Sequence, residues 1–105
     1  MLPSRIAKFA FIPFAIRKAM YCAASPRNPD EDLFQHIVGR AVMDALGFTG
    51  LDKPHDHNTE VRAARAWLKF GDNAEDYFLF ARIEKFDLIR EKVLATRPFL
   101  MKESE

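Results

Sequence analysis

Three cations, Arg62, Arg65 and Lys69, recur within the stretch NTEVRAARAWLKF. At about 100° per residue they share one narrow arc of a helix, with Val61, Ala64, Trp67 and Leu68 on the broad opposite side. Like charges so placed repel unless something anionic lies beside them. Either carboxylates of the next helix or a nucleic-acid phosphate backbone would serve, the latter because Lys and Arg displace its counterions. Lys85, Arg90 and Lys92 surround a short connection further along. These six are the candidate nucleic-acid contacts, DNA being the possible partner; phosphate contacts would dominate, with modest sequence selectivity.

Other chemistries find less support in the residues. His55-Asp56-His57 looks ligand-like, but zinc usually takes four ligands at recognisable spacing, and the sequence has no second Cys/His cluster. Asp30, Glu31 and Asp32 sit where a helix begins, where carboxylates favour the helix dipole without any catalytic role. There is no G-x-S-x-G, no Cys-centred nucleophile motif and no Gly-rich phosphate loop, and the chain holds only four Gly. The reading is non-enzymatic, with no cofactor and no metal site.

The head of the chain offers a different surface. Residues 1–29 contain Arg5, Lys8, Arg17, Lys18 and Arg27 and no acid, leaving eleven basic against fifteen acidic groups in the remainder. A basic head on an acidic body suits an anionic partner. The run FAFIPFAIRKAMY adds aromatic anchors. Phe9, Phe11, Phe14, Arg17, Lys18 and Tyr21 are therefore the candidate contacts to a protein partner or a second copy.

Size and composition set the frame. A chain of 105 residues with 49% apolar content is one globular domain. Cys22 is the only cysteine, which excludes an internal disulfide and fits a reducing, cytoplasmic setting. No apolar run reaches the roughly 18–20 residues that span a bilayer. Arg17 and Lys18 interrupt the one signal-like stretch before any small-residue cleavage site.

The elements that must position these groups read as helices. One runs from about Pro13 to Ala24. The next opens on Asn28-Pro29 with Glu31 three residues after the cap, and carries Leu33/Phe34, Ile37/Val38, Ala41/Val42 and Ala45/Leu46 every four residues. Gly47 ends it, and Gly39 inside it predicts a close helix crossing. Residues 48–57 read as a loop, and Thr59 to Phe70 as a helix stopped by Gly71. Asp72 and Glu75 form a cap pair for a helix of about Asn73 to Glu84, apolar on nearly every side and so expected to be buried. Asp87 then caps LIREKVLAT, Pro98 stops it, and MKESE reads as a frayed tail. The expectation is an all-α bundle of four to five helices with a helix-turn-helix-like C-terminal part. Residues 1–24 form a basic, apolar segment and residues 25–105 the helical domain.

Within residues 61–95 the chain resembles small phage and prophage proteins of the helix-turn-helix kind. The matching pieces are Ala63-Ala64-Arg65-Ala66-Trp67-Leu68, Glu75-Asp76-Tyr77-Phe78 and Ile89-Arg90-Glu91-Lys92-Val93-Leu94-Ala95. The resemblance implies a helix-turn-helix corner and a DNA-binding regulatory or accessory role, with adaptor or inhibitor as the other use such proteins have. Where those proteins place a small residue or Gly in the turn, this chain has Arg82-Ile83-Glu84-Lys85-Phe86-Asp87.

Overall fold

The computed structural model describes residues 14–21 and 25–103. Along the chain run α1 (Phe14–Tyr21), α2 (Pro29–Leu46), α3 (Pro54–Phe70), α4 (Ala74–Phe80) and α5 (Phe86–Ala95), with no strand among the described residues. The all-α bundle anticipated from the four-residue repeat is what forms.

The ends of α2 follow from its caps. The Asn28 Oδ1 accepts the Glu31 N–H at 2.9 Å, and Pro29 occupies the first helical position, where no donor is wasted. At the other end Gly47 turns left-handed at φ 97°, its N–H bonding to the Asp44 carbonyl at 3.0 Å and the Phe48 N–H to that of Met43 at 2.9 Å. An added Cβ at Gly39 would meet nothing within 4 Å among the described residues, so no close crossing of described helices accounts for it.

Two boundaries move from expectation. α3 starts at Pro54 and not near Thr59, because Pro is pre-set for a first helical turn; His55-Asp56-His57 are therefore helical and not loop. α4 ends at Phe80 and not at Glu84, because Arg82 adopts φ 61°. There the Arg82 N–H bonds to the Leu79 carbonyl and the Ile83 N–H to that of Phe78, both at 2.9 Å, the same closing pattern as Gly47 makes for α2. Arg82 thus takes the place in the turn where a Gly is usual. Side-chain caps foreseen at Asp72 and Asp87 do not form; Asn73 and Lys85 flank the helix starts without capping bonds.

One apolar cluster joins the bundle, holding Val38, Val42 and Leu46 of α2, Leu68 of α3, Phe78 of α4 and Ile89 and Val93 of α5. Ile16 and Ala19 of α1 are buried in the same cluster, and α1 packs on α5. The N-terminal helix expected to offer its apolar side to another chain thus turns Ile16 and Ala19 into its own core. Of the contacts foreseen there, Lys18 is exposed; Phe9 and Phe11 and the side chains of Phe14, Arg17 and Tyr21 lie outside the described residues. Leu79 and Phe80 are 64% and 50% exposed, so α4 is not buried on every side as expected: only Ala74 and Phe78 are.

The tail, expected to fray, is instead docked up to Glu103. It returns across the C-terminal end of α2 and the first turns of α3, with the Phe99 N–H bonded to the Leu46 carbonyl at 3.1 Å. The His57 Nε2 donates to the Phe99 carbonyl at 2.8 Å, while its Nδ1 accepts from the Thr49 hydroxyl at 2.7 Å. The Asn58 amide grips the Met101 backbone on both sides, Nδ2 to carbonyl at 2.7 Å and Oδ1 from N–H at 2.9 Å. Glu103 closes the strap on His55 at 2.9 Å and Asn58 at 3.1 Å. The His55 hydrogen bond, with that of Asn58, holds the Glu103 carboxyl below its ordinary 4.5.

Candidate docking groove

The expected cationic arc divides when folded. Arg62 and Lys69 are exposed, with the Lys69 ammonium 5.1 Å from the Phe70 ring centroid. Arg65 turns the other way. Its Nη1 donates to the carbonyls of Ala45 at 2.9 Å and of Val93 and Thr96, both at 3.2 Å, and its Nη2 to that of Leu94 at 2.8 Å. The planar guanidinium suits this task, presenting several donors to the negative ends of α2 and α5 together. Burial draws its pKa down from the ordinary arginine value, and it stays charged. Arg65 is thus a clamp between two helix ends, and the phosphate role expected of it finds its donors already engaged.

The second cationic group is also partly spent. Arg90 lies 3.5 Å from Asp87 and 5.2 Å over the Phe86 ring, while Lys85 and Lys92 are exposed. The exposed residues of α5 mix signs: Asp87 and Glu91 with Lys92.

A groove that the sequence did not announce lies between α2, α3 and α4. Its volume is about 500 Å³, within the range of ligand and side-chain pockets. Ile37, Ala41, Ala64, Trp67 and Tyr77 line it, with Asp44, Glu60, Arg40 and His36 as the ionisable groups. Ala41 on α2 and Ala64 on α3 are the reason for the space: two methyl side chains line a helix pair whose other lining residues are larger. The aromatic walls are held in place. The Trp67 Nε1 donates to the Asn73 Oδ1 at 3.0 Å, and Tyr77 meets Trp67 at 5.8 Å and 74° and Phe34 at 5.4 Å and 81°.

Charge in the groove is uneven. Asp44 is only 8% exposed, and its ion pair with the Arg40 Nε is 3.7 Å long, beyond a hydrogen bond. Burial pushes the Asp44 carboxyl up from its ordinary 3.8, Arg40 opposing and Glu60 adding to the rise. The His36 Nδ1 donates to the Asp32 carbonyl at 2.8 Å, so that nitrogen is committed locally.

Beside the groove the surface stays apolar. Leu33 is 56% exposed, one turn before Ile37 on α2. Phe80 packs on Phe34 at 5.1 Å and remains half-exposed.

The His55-Asp56-His57 motif does not gather ligands. His57 is buried with both ring nitrogens hydrogen-bonded, and no group of three metal-binding side chains occurs among the described residues. No described helix is long and apolar enough to cross a membrane. No family model, no curated protein and no solved structure matches the chain.

Proposed function

We propose that this chain is a non-enzymatic docking module, a regulatory or accessory factor that binds a protein partner in the groove between α2, α3 and α4. The observation that carries this reading is the pre-formed aromatic groove continued by half-exposed Leu33, Ile37 and Phe80. Apolar side chains clustered this way mark interaction surfaces, whereas scattered ones do not. The groove is preferred to the N-terminal segment as the docking surface because its walls are formed by described side chains, whereas Ile16 and Ala19 of that segment pack inside the bundle. A cytoplasmic setting goes with this reading.

The test places a photo-crosslinking residue at Ile37 and, as a control away from the groove, at Arg97. A discrete adduct at position 37 that is absent at 97, and that purified partner reproduces, supports the reading. Equal labelling at both positions, or none at 37, defeats it.

A second reading, nucleic-acid binding, keeps one supporting observation: Arg62 and Lys69, seven residues apart on one side of α3, are exposed. With Lys85 and Lys92 they would contact phosphates, Arg65 serving to position α3. Anisotropy of a labelled DNA duplex at low salt decides it. Binding should fall steeply as salt rises and should drop in Arg62→Ala/Lys69→Ala; no binding at low salt ends this reading.

A further inference from the structure

We infer that the groove is built to receive a positively charged side chain on an apolar stem, a Lys or Arg of the docking partner. The inference rests on the docking reading and adds the chemistry of the anchor. Two carboxylates, Asp44 and Glu60, line the groove against one guanidinium, Arg40, and the imidazole of His36, whose Nδ1 is turned to the Asp32 carbonyl. The guanidinium side chain is 64% exposed and stands 3.7 Å from the buried carboxylate, so it leaves acceptor capacity at Asp44. Rings meeting at 74° form the adjoining corner, and a cation near an aromatic face is attracted by the ring quadrupole. Both rings are fixed before any ligand arrives, Trp67 by Asn73 and Tyr77 by Phe34. An apolar stem would lie along Ile37, Ala41 and Ala64, with its charged end toward Asp44 and Glu60. An anionic anchor would face the carboxylate excess, and a neutral one would leave the buried carboxylate with its long, solvent-facing partner.

Three small probes of one shape separate these cases: 4-phenylbutylammonium, 4-phenylbutanol and 4-phenylbutyrate. Each is titrated into the ¹⁵N-labelled full chain while the Trp67 indole N–H resonance is followed. The ammonium should bind about fivefold more tightly than the alcohol, and the carboxylate more weakly than either. Glu60→Gln, at an exposed position, should bring ammonium and alcohol close together without weakening the alcohol; Asp44→Asn should do the same where it folds. If all three probes bind alike, or the carboxylate binds best, the cationic anchor is wrong and the docking groove stands. If none moves the Trp67 resonance, the groove reading itself falls and the anchor with it.

Discussion

Arg65 shows how one side chain can hold the ends of two helices. The last carbonyls of a helix have no partner within it and must find one elsewhere. For α2 all four are accounted for: Met43 by the Phe48 N–H, Asp44 by the Gly47 N–H, Ala45 by Arg65 and Leu46 by the Phe99 N–H. Arg65 also serves Val93 and Leu94 of α5. Replacing Arg65 by Ala should cost about 2–3 kcal/mol in urea unfolding, since hydrogen bonds from a charged donor are strong and buried acceptors are left bare. Arg65→Lys should recover less than half, because one ammonium cannot span the carbonyls that the guanidinium reaches. The cost of Arg62→Ala should stay within about 0.5 kcal/mol, as usual for an exposed position. The sequence could not separate Arg65 from its neighbours. On the wheel it stands about 40–60° from buried Val61 and Leu68 on one side and from Arg62 and Lys69 on the other. Which way such a side chain leans is decided by helix ends far away in the chain.

At the scale of elements, the strap of residues 97–103 and the N-terminal helix carry the main departures. The strap is held by its backbone more than by buried side chains: Phe99 and Leu100 stay exposed while His57 and Asn58 read the main chain. It also explains Gly47 twice over. Its φ of 97° suits Gly, and a Cβ there would lie 2.4 Å from the Phe99 backbone. Because the folded-state Glu103 carboxyl is depressed, its contribution is present above 4.5 and is lost as pH falls through the lowered value. The Met101 amide resonance should therefore move toward its random-coil position on acidification from above 4.5 to below the lowered Glu103 value, and Glu103→Gln should abolish that step. α1 is part of the bundle, so Ile16→Asp should destabilise the whole domain by about 3 kcal/mol or more by thermal melt, as expected for a buried charge without a partner. If the melt is unchanged, α1 is dispensable to the fold. Local signals made α2 legible to the residue: the Asn28 cap, Pro29 and Gly47 are chemistry between near neighbours. The strap was not legible, because its partners lie about 40 or more positions away and its own sequence is short and has no helical or strand period.

For the molecule as a whole, the helical class was readable from periodicity and the groove was not. An apolar stripe says that a residue packs, not whether the facing helix fills the space; Ala41 and Ala64 had to be seen together. The same holds for α4, whose aromatic run reads as buried until Arg82 ends the helix after seven residues and leaves Leu79 and Phe80 in solvent. The cationic residues singled out from the sequence are divided between holding the fold, as Arg65 does, and facing solvent, as Arg62 and Lys69 do. The central claim is that partners dock between α2, α3 and α4. It is tested most directly by amide shift mapping of the ¹⁵N-labelled chain with the partner segment captured at position 37, set beside the same map with a DNA duplex at low salt. The account predicts that the partner segment gives the larger response, centred on Ile37, Ala41, Ala64 and the Trp67 indole. A response confined to Arg62, Lys69, Lys85 and Lys92, seen with DNA and absent from the groove, would contradict it.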